Sequence, residues 1–130
     1  MNKDELWFRL MELGERAGCH QRADRSFFVG GYQFPLCARC TGVFLGQCSA
    51  VITLLFRKSF SPALCLVMLL TMGADWFIQR IGVLESTNIR RLITGIMGGA
   101  GIIFLYFHII SALVKALRAL KKKREAIKSF

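Results

Sequence analysis

Residues 92–114 are an unbroken run of 23 residues without a single Lys, Arg, Asp or Glu. A helix needs about 20 mostly apolar residues to cross the hydrocarbon core of a bilayer, so a run of this length and polarity reads as a membrane span. Two shorter apolar stretches precede it. Residues 41–56 are short for a span, so part of the preceding Cys-Ala-Arg-Cys turn is expected to belong to the same helix. Residues 63–84 form the second candidate, with Pro62 suited to the first turn of a helix. Composition agrees. The chain is 54% hydrophobic and 20% charged, against about 25% charged in ordinary soluble domains, and its mean hydropathy is +0.45. The expectation is one all-α membrane domain over residues 1–130 with about three transmembrane helices. Lipid supplies little hydrophobic drive between helices, which instead approach through small residues. Gly42 and Gly46 give the first span such a face, and Thr94, Gly95, Gly98, Gly99 and Gly101 give one to the third.

The two ends differ in character. Residues 1–18 read as an amphipathic helix, with Leu6, Leu10 and Leu13, joined by Trp7 and Met11, at helical spacing. Lys3, Asp4, Glu5, Arg9, Glu12, Glu15 and Arg16 make it too charged to span and leave no apolar core for a signal peptide. It is expected to lie along the interface or to cap the bundle. Residues 115–130 are a basic tail, holding seven of the 18 Lys/Arg. Beside a membrane helix such a tail points to anionic lipid headgroups, and no specific nucleic-acid partner is expected. Lys and Arg divide evenly between the two sides of a three-span bundle. The dense tail tips the balance toward a cytoplasmic C-terminus in the plasma (inner) membrane. The bilayer is the expected partner, and a homo-oligomer is compatible with the sequence.

Between the N-terminal helix and the first span, residues 19–40 concentrate reactive side chains. Aromatic and β-branched residues flank Gly30-Gly31, which predicts a hairpin. Pairing Val29 with Tyr32 sets Cys37 opposite Asp24 and brings Cys19 and His20 toward Cys40. The five cysteines are an odd number, so they are not a complete disulfide framework within one chain. Cys48 and Cys65 lie in apolar runs and are expected to be small core residues. Cys19, His20, Cys37 and Cys40 make a full Cys₃His set for zinc, with Arg22, Arg25 and Arg39 near to favour thiolates. Because Cys19 and His20 are adjacent, a bent backbone is needed for both to reach one ion; otherwise Asp24 or a water takes the fourth place. Two alternatives stand beside zinc. A CxxC at a helix start also serves thiol–disulfide exchange, as in the vitamin K epoxide reductase family, where it is coupled to a quinone. This chain has three spans rather than four and no second CxxC, although Cys19 could resolve a Cys37–Cys40 bridge. The other is a non-enzymatic accessory protein with a purely structural metal.

Three alternating spans put the start of the first, the end of the second and the start of the third at one membrane face. Asp75 and Gln79, four apart, share a helix face there. An intramembrane carboxylate is a functional candidate by default, so both are candidate catalytic residues, Asp75 as base or orienter. The competing role for Asp75 is a salt bridge to Arg90 or Arg91. Arg25, Arg39, Arg80, Arg90, Arg91 and Asn88 are candidate ligand contacts, since arginine grips phosphate and carboxylate in bidentate fashion. The ligand expected is an anionic lipid or a phosphate-containing molecule. Ordinary interfacial snorkelling accounts for some of these arginines equally well. His108 lies about 24 Å along the third span from its start, away from this face, and is expected to serve a packing or interfacial role.

"CHQRADRSFF", "GGYQFPLCARCTG", the Asp75-bearing span and "STNIRRLITG" together resemble a family of small predicted membrane proteins of bacteria and archaea built on a domain of unknown function. The resemblance covers roughly residues 18–101. The family pattern includes Cys19, His20, Gln21, Arg25, Pro35, Cys37, Cys40, Thr41 and Gly42. Ala23 stands where proline is expected, which bears on a local turn only. The resemblance implies a polytopic membrane protein with a Cys/His signature and brings no activity, substrate or cofactor with it.

Overall fold

A computed structural model describes residues 2–128, with side chains as far as Glu125. Its elements run α1 (Lys3–Arg16), β1 (Ser26–Val29), β2 (Tyr32–Cys37), α2 (Ala38–Leu55), α3 (Pro62–Arg80) and α4 (Asn88–Lys128). Three of the helices, α2, α3 and α4, are long and apolar enough to cross a membrane. The chain is thus mostly helical with three candidate spans, as its sequence implies. The outward faces of these helices are apolar. Phe44, Ile52 and Leu55 on α2, Leu66, Val67 and Leu70 on α3, and Tyr106, Ile110 and Leu113 on α4 are all exposed. A contiguous apolar surface of this kind is a liability in water and ordinary in lipid.

Helix boundaries depart from the expected spans for local reasons. α2 starts at Ala38, so the CxxC turn joins the helix. α3 starts with Pro62 behind Ser61, whose hydroxyl accepts from the Leu64 amide, and it stops at Arg80, short of residue 84. Gly82, at φ 74°, follows the stop in a conformation that glycine adopts without strain. α4 begins at Asn88, where the Thr87 hydroxyl accepts from the Arg90 amide. The basic tail does not fray: it continues α4 as one helix to Lys128, and residues 129–130 of that tail lie outside the described residues.

α4 is the central element, packing on α2 along one face and on α3 along another. Gly42 and Gly46 of α2 sit against the α4 backbone at Leu92 and Ile96, and Gly95 and Gly99 of α4 sit against the α2 backbone at Arg39 and Val43. A Cβ at any of these four would collide with a carbonyl rather than with a movable side chain. Gly98 and Gly101 face α3 at Met72 and Cys65. Further along, Ala50, Cys65, Ala100 and Phe104 form a small buried core, with Phe60 edge-on to Phe104. Cys65 is a core residue as expected. Cys48 is not: it is exposed on the outer face of α2. His108 Nε2 donates to the Phe60 carbonyl, 2.7 Å away, and so fastens α4 to the α2–α3 connection at the far end of the bundle.

Ahead of the three long helices, α1 and the hairpin pack together. An Asn2/Glu5 capping box starts α1. The face of α1 that packs is Trp7, Met11 and Gly14, not the leucine stripe. Trp7 donates from Nε1 to the Gln33 carbonyl at 2.8 Å, and Gly14 allows the Pro35 carbonyl to approach the helix. Leu6, Leu10 and Leu13 are left exposed. The hairpin pairs Val29 with Tyr32 and Phe28 with Gln33, as expected, but then pairs Ser26 with Cys37. Cys37 therefore does not face Asp24. The slip falls across Phe34-Pro35-Leu36, where Pro35 has no amide to give the ladder and β2 bulges.

Candidate metal and anion site

Cys19 reaches the start of α2 because the chain after α1 turns sharply. Gly18 has φ 79° and Gln21, unusually for a residue with a side chain, φ 45°. Gln21 is held there from both ends. Its side-chain amide donates to Met11 O at 2.6 Å and Pro35 O at 2.8 Å, and its carbonyl accepts from Gln33 at 2.6 Å. These bonds offset the cost of the left-handed backbone and pin Cys19 beside the hairpin. The Cys37 amide, at the N-cap of α2, donates to Cys19 Sγ at 3.2 Å. Cys40 lies one turn in.

The sulfurs of Cys19, Cys37 and Cys40 all lie within 4.8 Å of one another. All three thiols are free. Tetrahedral zinc with Zn–S of about 2.3 Å sets its sulfurs about 3.8 Å apart, so small side-chain rotations suffice to close the set. Among the described residues no His, Asp or Glu joins this group. His20 lines one neighbouring cavity with Arg22 and Arg80 and shares a second with Cys19, and Asp24 is engaged by Arg22 at 3.1 Å. The Cys37 thiol is held well below its ordinary value near 9, at about 5. The Cys40 thiol hydrogen-bonded to it is the main cause, acting against partial burial, with the Cys40 amide, the Cys19 thiol and the Arg39 amide adding to it. None of the amides closes a full capping hydrogen bond, but the helix N-terminus favours negative charge at this position. A pKa depressed on folding adds stability that is complete above the ordinary thiol value and is lost as pH falls through about 5. In metal-stripped protein, a neutral alkylating reagent at pH 6 is therefore expected to modify Cys37 first, and Cys40→Ala to slow that labelling. Equal labelling of Cys37 in Cys40→Ala and the parent, read by peptide mass spectrometry, contradicts this electrostatic account.

Behind the thiols lies a polar network across all three spanning helices. Asp75 of α3 is only 3% exposed. Its Oδ2 accepts from Arg39 of α2 at 2.6 Å, from Gln79 at 2.6 Å and from Thr94 of α4 at 3.3 Å. Arg90 Nε lies 2.8 Å from Oδ1, close enough for an ion pair but off the hydrogen-bond direction. Gln79 Oε1 accepts from Arg91 Nε at 3.0 Å, Arg91 donates to Asn88 Oδ1 at 3.1 Å, and Asn88 donates to the Ser26 carbonyl at 3.1 Å. The network thus runs from the membrane helices into the hairpin. The start of α2, the end of α3 and the start of α4 do meet at one face. Of the six residues expected to meet a ligand, Arg39, Arg90, Arg91 and Asn88 are committed to this network. Arg25 and Arg80 instead line a cavity of about 480 Å³ with His20, Arg22, Trp76 and Gln79.

A family described as Predicted membrane protein (DUF2085) matches residues 19–105. The chain belongs to this family. The matched stretch opens on Cys19 and closes on Leu105, so it contains the three thiols, the Asp75 network and the small-residue faces of α4. α1 and the basic tail lie outside it. Among relatives, an uncharacterised protein of Methanothermobacter thermautotrophicus is 34% identical over 91 residues, 67% of this chain and 82% of that one. An uncharacterised protein of Methanocaldococcus jannaschii is 32% identical over 102 residues, 74% of this chain and 65% of its own. No solved structure matches the chain.

Several participants carry no signal in the sequence. Gln21 and Gln33 look like ordinary loop polars, and only their reciprocal bonds reveal them. Ser26 is 3% exposed and supplies the carbonyl for Asn88, yet a lone serine at a strand start is unremarkable. Arg39 was legible: an arginine between two cysteines at the start of α2 must lie at the same face as Asp75.

Proposed function

We propose that this protein holds a soft divalent metal, zinc, on Cys19, Cys37 and Cys40 at one membrane face, beside a basic site for an anionic ligand. The observation that carries this is the gathering of three thiols at the N-terminus of α2. Zinc prefers thiolates, and three of them make it a Lewis acid with one position left over. A purely structural zinc is closed by four protein ligands. Because His20 faces the adjoining cavities, we assign the fourth position to an exogenous ligand and His20 to the cavity wall. Asp75 and Gln79 act as positioning residues that fix Arg39, Arg90 and Arg91, since both side chains are spent on partners within the bundle. The C-terminal helix extends the bundle on the opposite side, toward the cytoplasm of a plasma membrane; a C-terminal reporter active only in the exported compartment reverses that orientation.

Thiol–disulfide exchange is the second reading, favoured by the lowered Cys37 thiol and the CxxC at a helix start. One measurement separates the two: metal content and thiol state of the protein purified without chelator. About one zinc per chain with all thiols reduced is expected. Metal-free protein carrying a Cys37–Cys40 disulfide that turns over with a quinone would sink the metal proposal.

A further inference from the structure

The cavity of about 480 Å³ lined by His20, Arg22, Arg25, Trp76, Gln79 and Arg80 is the seam between the Cys/His loop and α3. Three guanidiniums and an imidazole face it, and no carboxylate does. Of the acids nearby, Asp24 pairs with Arg22 at 3.1 Å and lies 3.5 Å from Arg25, and with Glu85 it lines the adjoining cavity instead, while Asp75 behind Gln79 is paired with Arg39 and Arg90. Arg80 has no carboxylate partner among the described residues. Arg25 Nε is buried, and although Asp24 is within ion-pair range, it makes no hydrogen bond. Gln79 offers nothing further, its amide being spent on Asp75 and Arg91. The cavity therefore has surplus positive charge, and one buried donor in it, Arg25 Nε, lacks an acceptor.

Its position narrows the ligand. Trp76 and Arg80 are four apart on α3 and share a face. Trp76 is 53% exposed, and its neighbour Phe77 is 57% exposed. A tryptophan one turn from the polar end of a span sits at headgroup depth. The cavity is thus open at the level where lipid phosphates lie, with an aromatic wall leading into the apolar region. Its volume is within the roughly 300–1,000 Å³ of small-molecule sites, so it accommodates a phosphate ester and not merely a bare ion.

We propose that this seam binds the phosphate group of an anionic amphiphile, with Arg25 and Arg80 as the principal contacts, Arg22 and His20 beside them, and Trp76 flanking the apolar part. This extends the anionic-ligand half of the proposed function and does not depend on the metal.

The test uses the full chain in a neutral detergent, on a Trp7→Phe background so that Trp76 alone reports. Short-chain phosphatidic acid, phosphatidylcholine of the same chain length and inorganic phosphate are titrated in parallel. Saturable change in Trp76 emission with phosphatidic acid is expected, with phosphatidylcholine weaker. Arg80→Gln, at an exposed helix end, should weaken it about tenfold, the effect of losing one charge-assisted hydrogen bond. Arg25→Lys keeps the charge but loses the fork, and should weaken binding while leaving the fold intact. If inorganic phosphate binds as tightly as phosphatidic acid, the phosphate site stands and its source is soluble. Binding unchanged in both variants, or lost instead on Lys121→Gln with Lys122→Gln in the distant tail, overturns the proposal. Zinc content measured on the same samples keeps the two proposals separate, since Arg80→Gln should leave it at the parent level.

Discussion

Asp75→Ala is expected to destabilise the bundle by about 3–5 kcal/mol, the cost of removing one partner from a buried ion pair. The reason is geometric. Asp75 is the only acid in a spanning helix away from the tail, and it receives Arg39 from α2, Gln79 from α3 and Thr94 from α4. Without it, Arg39 and Arg90 face each other with no counter-charge, and Gln79 loses the acceptor that orients it toward Arg91. Asp75→Asn keeps the shape and an acceptor oxygen but not the charge, and should fall between Ala and the parent. The exposed Glu12–Arg16 pair on α1 gives the control: such pairs are worth about 0–1 kcal/mol, so Glu12→Ala should melt with the parent. Thermal unfolding in detergent reads all three. A melting curve for Asp75→Ala that overlays the parent refutes the assignment of Asp75 as the organiser of this face.

The same network shows what the sequence makes visible. The three apolar runs, Pro62 at a helix start and the glycine faces follow from local rules, and all survive in the structure. The convergence of Cys37 and Cys40, Asp75 and Gln79, and Asn88 to Thr94 follows from nothing more than alternation of three spans. Two things could not be read locally. Hairpin register is set at the Gly30-Gly31 turn, but the bulge at Pro35 resets it before Cys37, so a count from the turn misplaces that cysteine by two residues. The packing face of α1 is set by hydrogen bonds, from Trp7 to Gln33 and from Gln21 to Met11, while apolar spacing alone points to Leu6, Leu10 and Leu13. Those leucines remain exposed. For His20, adjacency to Cys19 puts its backbone at the thiols, but the three sulfurs group within 4.8 Å without it.

Cys19→Ser, Cys37→Ser and Cys40→Ser should each take zinc from about one per chain to near none, the largest effect expected for this protein. A serine hydroxyl is a poor zinc ligand, and two thiolates do not retain what three hold. Structural zinc contributes apparent binding energies of about 10–16 kcal/mol in small peptides, and that energy is folding energy. Here the bundle is held separately by its glycine faces and by Asp75, so the loss should be local. Segment 19–37, with Arg22 and Arg25 as trypsin sites, should be cleaved rapidly while α2, α3 and α4 stay protected in detergent. Cys65→Ser, in the core, and Cys48→Ser, on the outer face, should keep full zinc, whatever the first does to stability. His20→Ala decides between three and four protein ligands: zinc retained near one per chain supports the open fourth position, and zinc lost with the Cys37→Ser pattern restores the Cys₃His set. A Cys37→Ser protein that keeps its zinc and resists trypsin in this segment would remove the metal from the site altogether.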